Sequence, residues 1–551
     1  MSCSVSWLVI FTLMLDVVST SDMYSSVAEL ERLYVKEQQV GQRLEHFLLL
    51  IKQQTEAIDH YLTELREIRS ANLDSRAVIS NPINAFHMMR RLTISWQTVK
   101  TALETQVNVT EIVEDVLNIS KSFPNDEDLS GAAFSLAQLQ GAYRLNVSQL
   151  ASGNVQMSDR ISFASLRGLN ARDCLFIGKH AFNKGFYDQA VDWISTASEV
   201  AQSESNQSAT VAEIKPFLST AIRVHDDVLE KKGPLGENWR TNPQPFKRRV
   251  KTVSGGNQSK QQRIADAKNN ACRLATDKSP VWEETEIFFR LCRGEQSRPT
   301  RLTSRLKCRH ISHTQPYFIV RPLKLEEHSL VPYIAVFHDF MSDAETELFK
   351  SLAIENLERS AHGSKRSVRQ GVTSDKRTSK QSWVQDGSHH VIDKITKRIS
   401  DSVGLNSQPS NVGSEHYQVA NYGIGGRYTP HCDHGVLFQS RGQPTEFELM
   451  RGDRILTFMT YLDDVEEGGA TVFTQAGVAV KPKKGMSVFW WNLMSDLSGD
   501  TSTRHGGCPV LHGSKWICNK WFHSGEQFLK RPCGKEPKSR ISHPGGDAVN
   551  G

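Results

Sequence analysis

From Val27 to Ile68 the apolar residues Leu30, Leu33, Val40, Leu44, Phe47, Leu48, Ile51, Ile58, Leu62 and Leu65 return mostly every third or fourth position. Glu, Lys, Gln and Arg fill the positions between them. This period predicts one long amphipathic helix with coiled-coil character, suited either to self-association or to packing within its own domain. Asn81-Pro82 interrupts the pattern, and further helical segments run to about Tyr143. A second helical unit spans 144–235. Its Cys174-Leu-Phe-Ile-Gly178, Ala181-Phe182, Tyr187 and Ala190 follow the small/large spacing of a tetratricopeptide repeat. One such hairpin cannot bury its face alone, so neighbouring helices must stack on it. Beyond Val331 the period falls to two. Arg454–Leu462, Ala470–Phe473, Met486–Trp491 and Lys515–His523 read as short strands between turn-rich segments, which predicts a double-sheet jelly roll.

These patterns divide the chain into 1–20, 21–143 (helical), 144–235 (repeat-like), 236–330 (linker), 331–528 (β domain) and 529–551 (tail). The linker assignment reflects a polar, basic run from about Lys231 to Pro280, rich in Gly, Pro, Asn and Gln. At 551 residues the chain is too long for one ordinary core. A formal net charge of +5 is small for this size, so nothing global points to nucleic acid. Local basic clusters at Lys247-Arg248-Arg249 and between Lys365 and Lys380 read as solvated loops.

Residues Trp7–Leu15 form an almost wholly apolar run followed by small residues at Ser19 and Thr20. That is the length of a signal-peptide core, whereas a membrane span needs about twenty apolar residues. No second run approaches spanning length. Sequons at Asn108, Asn118, Asn146, Asn206 and Asn257 agree with a secretory-pathway protein. The cysteines outside the leader show no CxxC pair and no zinc spacing, so disulfides in an oxidising lumen are expected. The chain ends Asp547-Ala-Val-Asn-Gly551, without a KDEL-type signal. Retention in the endoplasmic reticulum lumen would then require a partner.

Within the β region stands Asn421-Tyr-Gly-Ile-Gly-Gly-Arg-Tyr-Thr-Pro-His431-Cys432-Asp433, followed later by Thr503-Arg504-His505 and by Lys515. Two histidines and a carboxylate on one face of an octahedral iron(II) leave positions for a bidentate 2-oxo acid and for O2. In an extended strand His431 and Asp433 point the same way, because side chains alternate with period two. Lys515, flanked by apolar Trp516 and Ile517, would be a buried cation that needs an anion. Each residue alone has a plainer reading: HxD by chance, a hydrogen-bonded core histidine, a surface lysine.

The stretch from Val419-Ala-Asn-Tyr-Gly423 to Arg531-Pro532-Cys533 resembles the catalytic domain of the collagen-type prolyl 4-hydroxylase α subunits. Gly468-Gly-Ala-Thr-Val-Phe473, Pro482-Lys-Lys-Gly485, Ser502-Thr-Arg-His505 and Gly513-Ser-Lys-Trp516 carry the resemblance. Asn81-Pro-Ile-Asn-Ala-Phe86, Phe123-Pro-Asn-Asp-Glu-Asp128 and Cys292-Arg-Gly-Glu295 extend it towards the N-terminus. The resemblance implies a multidomain α + β chain: a helical dimerisation domain, a tetratricopeptide-like peptide-binding domain, and a double-stranded β-helix (jelly-roll) catalytic domain. It implies iron(II) at His431, Asp433 and His505, and 2-oxoglutarate at Lys515 and Tyr422. O2 would be co-substrate, and L-ascorbate would rescue oxidised iron. It further implies Cys292–Cys308 and Cys508–Cys533 disulfides and peptide contacts at Phe182, Tyr187 and Trp193. The implied partners are a protein disulfide isomerase β subunit, an α2β2-like tetramer built on α–α association, and proline-rich or collagen-like polypeptide.

The chain departs from that pattern in Ala212–His225, which lacks the tyrosines of the family's second hairpin, so its grip on proline-rich peptide is expected to be weaker. Trp490, Trp491 and Trp521 fit the wall of the reaction pocket. Two other functions stay open: the same chemistry on a non-collagen protein or a lysyl target, and a catalytically idle peptide-binding subunit. Lysyl hydroxylases typically place arginine where Lys515 stands, which favours the prolyl class.

Overall fold

The computed structural model describes residues 23–50, 56–70, 74–104, 110–157, 161–232, 281–295, 298–312, 314–360, 377–407, 412–435, 445–527, 529–531, 536 and 539–540. The leader, Asn108, Asn257, Cys533, the basic cluster at 247–249 and most of the linker lie outside these residues.

The apolar period from Val27 onwards forms two helices, α1 (Val27–Leu50) and α2 (Glu56–Ser70), rather than one. Val40, Leu44 and Phe47 of α1 share a core with Ile58, Tyr61, Leu62 and Leu65 of α2, together with Trp96, Val99 and Leu103 of α5 (Trp96–Glu104). Much of the stripe is therefore spent on packing within the chain. Between them lie α3 (Ser75–Ser80) and α4 (Pro82–Arg90). Asn81 caps α4, accepting from the Ile83 and Asn84 amides, with Pro82 preset at the first turn. Helices α6 (Thr110–Ser120) and α7 (Asp126–Tyr143) follow, the latter opened by an Asn125/Asp128 capping box.

After α8 (Val147–Ala151) and a hairpin of β1 (Asn154–Met157) and β2 (Ile161–Ala164), three stacked helices form the repeat-like unit. These are α9 (Ala171–Asn183), α10 (Tyr187–Ser203) and α11 (Val211–Lys232). Gly178 is required where α9 meets α10, since a Cβ there would lie 2.5 Å from Ile194 Cγ1. Trp193 is 0% exposed at this contact. Its expected peptide-binding role is thus corrected: the indole belongs to the helical core, because α10 is covered by α9 on one side and α11 on the other. Phe182 and Tyr187 stay half-buried at the α9–α10 turn, edge to face at 5.2 Å.

Helix α12 (Val281–Cys292) leads into a nine-stranded antiparallel sheet ordered β3-β4-β5-β14-β10-β17-β8-β7-β6. Its strands are β3 (Cys308–Ile311), β4 (Leu323–Leu330), β5 (Tyr333–His338), β6 (Glu358–Arg359), β7 (Ser379–Val384), β8 (Tyr417–Tyr422), β10 (Arg454–Tyr461), β14 (Ser487–Trp491) and β17 (Lys515–His523). The sheet begins at Cys308, ahead of the expected start at 331, because β3 and β4 extend its edge. Helices α13 (Asp343–Ile354) and α14 (His390–Val403) cover one face over a core that includes Phe349, Ile395, Phe458 and Phe522. A second sheet faces the other side, ordered β13-β12-β15-β9. It comprises β9 (Tyr428–His431), β12 (Thr471–Phe473), β13 (Val478–Val480) and β15 (His505–Gly507). The short strands β11 (Glu467–Gly468) and β16 (Val510–His512) pair beside it. Phe473, Trp490, Met459 and Ile517 fill the space between the sheets. This is the jelly roll.

The chain's N-terminal segment docks on this β domain. Asn421 of β8 is 0% exposed. Its Oδ1 accepts from Ser26 Oγ at 2.8 Å and from the Ala28 amide at 3.0 Å, and its Nδ2 donates to Ser514 Oγ and the Lys515 carbonyl. Lys380–Glu29 and Arg32–Glu355 ion pairs flank the contact. Both expected disulfide pairings are overturned. Cys292 bonds Cys508, while Cys308 is a free, exposed thiol. Helix α12 lies across the second sheet, which carries its C-terminal cysteine to Cys508 rather than to the sheet edge at β3. Cys432 is also disulfide-bonded, and its partner lies outside the described residues.

Asn421→Ala would strand the buried donors at Ser26 and Ala28 and the acceptors at Ser514 and Lys515, at about 3 kcal/mol of stability in all. Urea unfolding should show this as a lower midpoint with unchanged slope. Peptide mapping without reduction should recover Cys292 linked to Cys508, with Cys308 alkylated in the native chain.

Candidate metal and co-substrate site

Strands β9 and β15 are antiparallel neighbours, and their register places His431 opposite His505. Strand β9 ends at His431, so Asp433 lies at a bend just beyond it rather than in the extended HxD triplet that the sequence predicts. The bend still delivers the carboxylate. His431 Nε2 stands 3.6 Å from Asp433 Oδ1, and His505 Nε2 stands 3.7 Å from Asp433 Oδ2. One donor atom from each residue falls within 4.8 Å of the others.

Neighbouring groups fix these donors. His431 Nδ1 donates to the Thr429 carbonyl at 2.9 Å, and His505 Nδ1 donates to the Thr503 carbonyl at 3.0 Å. Each ring thereby turns an unprotonated Nε2 towards the centre, the tautomer that a metal needs. Asp433 Oδ2 accepts from Thr457 Oγ1 at 2.6 Å and from Trp521 Nε1 at 3.1 Å. Asn492 Nδ2 donates in turn to Thr457 Oγ1. Burial pushes the His505 imidazole down to about 4, against the opposing Asp433 charge. Burial alone would raise Asp433, yet the His505 and His431 rings and the Arg454 guanidinium hold its carboxyl well below the usual range. A neutral His505 imidazole and an ionised Asp433 carboxylate result, with the His431 ring beside them. Such a facial set suits iron(II) and leaves coordination positions for other ligands.

The centre opens into a cavity of about 750 Å3 between the sheets. Along β17, Lys515, Ile517, Asn519 and Trp521 line it, while Trp516, Cys518 and Phe522 face the helix-covered core. On β14, Trp490 lines the cavity but Trp491 does not; it packs in the opposite core. Of the three tryptophans expected in the wall, alternation therefore admits two. Tyr422 is paired with Lys515 in the β8–β17 register, with its ring centroid 5.1 Å from the Lys515 Nζ. Lys515 is 1% exposed and has no carboxylate partner among the described residues. Desolvation pushes its ammonium down to about 7. Lys520, five residues along on the other face, is equally buried but holds both Asp386 oxygens, at 2.8 and 2.7 Å. The contrast marks Lys515 as a cation held ready for an incoming anion.

Several contributors escaped the sequence reading. Arg377 sits at the end of the basic stretch read as solvated loop, yet it is 5% exposed and lines the cavity. It bonds Ser379 and Gln418 and lies 4.9 Å over the Tyr428 ring. Arg454 forks onto Glu415 and lies 3.8 Å over the Trp521 ring. No period or spacing separates these arginines from surface ones. Residues 361–376, most of that basic stretch, lie outside the described residues.

Residues 26–157 match the family described as Prolyl 4-Hydroxylase alpha-subunit, N-terminal region, and residues 417–523 match the 2OG-Fe(II) oxygenase superfamily. The chain is 33% identical to the rat prolyl 4-hydroxylase subunit alpha-1 over 527 residues, covering 93% of this chain and 95% of that protein. To the bovine subunit alpha-3 it is 32% identical over 542 residues, covering 95% and 96%. Among solved structures it is similar to a viral collagen prolyl hydroxylase from Paramecium Bursaria Chlorella virus-1 in complex with 2OG. That match is 29% identical, covers 34% of this chain and 95% of the viral one, and has a TM-score of 0.26.

Lys515 gives a signed pH prediction. Below about pH 7 the ammonium is charged in both states, so its desolvation costs the folded chain stability. Between about 7 and 10.5 the folded chain releases the proton while the unfolded chain keeps it, and stability rises with pH. The metal-free Lys515→Met variant should therefore melt above the parent at pH 6.5, with the gap closing as pH approaches 10. Its KM for 2-oxoglutarate should rise roughly 30- to 1,000-fold through loss of the buried charge contact.

Proposed function

Because this chain belongs to the family of prolyl 4-hydroxylase alpha subunits, we propose that it 4-hydroxylates prolines in collagen-like X-Pro-Gly polypeptide, as an iron(II)- and 2-oxoglutarate-dependent dioxygenase. His431, Asp433 and His505 hold the iron. When bound, iron with 2-oxoglutarate and O2 supplies the oxidising power for insertion of a hydroxyl at proline C4, with succinate and carbon dioxide released. The observation that carries this reading is the pairing of a two-histidine, one-carboxylate centre with an unpaired buried ammonium in one cavity.

The chain's own residues do the rest. Lys515 Nζ takes the distal carboxylate of 2-oxoglutarate, and the Tyr422 ring beside it walls the same end. Thr457 and Trp521 hold the Asp433 carboxylate in one orientation. Trp490 packs against the His505 ring at 4.5 Å and, with Met459 and Ile517, limits water near the centre. L-ascorbate serves as reductant for iron oxidised without substrate turnover.

Peptide engagement beyond the cavity falls to Phe182 and Tyr187, which keep some exposure on the repeat-like unit. The partners are a protein disulfide isomerase β subunit and a second α chain, in an α2β2-like tetramer in the endoplasmic reticulum lumen. Asn118, Asn146 and Asn206 are exposed, as glycosylation requires, and no described helix is long and apolar enough to cross a membrane. A non-catalytic subunit would have no use for an ordered donor set with its supporting hydrogen bonds.

Succinate release from 2-oxoglutarate, with the chain co-expressed with protein disulfide isomerase, should depend on a (Pro-Pro-Gly) repeat peptide and vanish in His505→Ala. Hydroxyproline should appear in the peptide. Turnover without dependence on peptide would keep the dioxygenase and dismiss the collagen-like substrate; no turnover would favour a binding-only role.

A further inference from the structure

Helix α12 precedes the β domain in the chain but packs on the outside of the sheet that carries both histidines, against β12 and β13. Near its N-terminal end, Glu284 is 6% exposed. Its Oε1 accepts from Arg504 Nε at 2.5 Å and from Thr474 Oγ1 at 3.0 Å. Arg504 immediately precedes His505, and its Nη2 donates to the carbonyl of Pro430 at 2.7 Å. Pro430 immediately precedes His431. One guanidinium thus joins the residue before each histidine, and one buried carboxylate holds that guanidinium. At the other end of α12, Cys292 is bonded to Cys508, three residues past His505. Between the two ends Phe288 lies against Gly506, where any Cβ would come within 2.8 Å of both Phe288 Cε2 and the Tyr428 carbonyl.

The strands need such support. Strand β9 is the edge of its sheet, β15 has three residues, and their ladder is irregular between His505 and Gly507. Short edge pairings with few bonds open readily. A metal site tolerates little freedom between ligands, and the groups that orient ligands are worth much of its affinity.

We infer that helix α12 braces the two metal strands from outside, with Glu284 and Arg504 as positioning residues that set the separation of His431 and His505. This goes beyond the proposed function but rests on its metal reading. The planar fork of Arg504 is what allows it to reach Glu284 and Pro430 together; a lysine ammonium cannot reproduce that geometry.

The test uses the full chain, expressed with protein disulfide isomerase and loaded with Co(II) alone, so that the d–d absorption reports coordination without turnover. Glu284→Ala and Arg504→Lys should bind Co(II) roughly 10- to 100-fold more weakly, with an altered d–d spectrum. The metal-free chain in EDTA should melt somewhat lower, because Glu284→Ala leaves the Arg504 guanidinium without its carboxylate. The loss of Co(II) affinity should exceed that destabilisation, and Glu284→Gln should fall between Glu284→Ala and the parent. Unchanged affinity and spectrum in both variants would overturn the inference. So would affinity that falls only in step with a lower metal-free midpoint, since that is general destabilisation. If the parent binds no Co(II), or His505→Ala binds it equally well, the metal reading itself fails, and the brace with it.

Discussion

The antiparallel pairing of β9 with β15 is the contact on which the rest of the site depends. It sets His431 directly across from His505, although long loops, strands β10 to β14 and a turn separate them in the chain. Every other feature of the centre refers to that pairing. Asp433 reaches it from the bend after β9, and Trp490 packs on its inner side. A two-residue change of register would move one imidazole by about 7 Å, well outside a shared coordination sphere. Register here is a chemical requirement as much as a packing one.

The second constraint is the placement of charge in a dry space. Lys515 and Lys520 lie on one strand, are equally buried, and differ by an odd number of positions, so they face opposite sides of the sheet. On the helix-covered side Asp386 neutralises Lys520. On the cavity side the Tyr422 and Tyr461 rings stand near the Lys515 ammonium, with no carboxylate beside it among the described residues. The fold neutralises one buried cation internally and leaves the other without a carboxylate among the described residues, and burial lowers the basicity of Lys515 accordingly.

The helical region takes part in building the β domain's surface. The segment at Ser26–Ala28 hydrogen-bonds Asn421, next to Tyr422. Tyr143 of α7 donates to the Pro509 carbonyl at 2.5 Å, beside Cys508. Ser80 meets His512, on which Phe163 stacks at 4.2 Å. These contacts surround the second sheet and the back of β8, so the helices and the co-substrate end of the cavity share polar groups that neither could satisfy alone.

Much was legible in the sequence because it depends on local period or on residue chemistry. The change of period from near 3.6 to two separates helices from jelly roll, Asn81-Pro82 marks a helix start, and HxD…His with a lysine on an apolar strand names the chemistry. Other features depend on which chain segments meet. The stripe from Val27 to Ile68 reads as one helix because period carries no information about a reversal, and only the shared core reveals two. Trp193 reads as a peptide contact until its packing against α9 is seen to bury it. The Cys292–Cys508 disulfide follows the path of α12, so cysteine spacing cannot identify Cys508 as the partner of Cys292. Arg377, Arg504 and Glu284 look like any surface charges in the sequence. Their roles exist only once burial removes water and leaves each a single set of partners. Residue type and period are local properties that a sequence states outright; burial, register and partner choice are properties of the whole chain, decided when its segments pack.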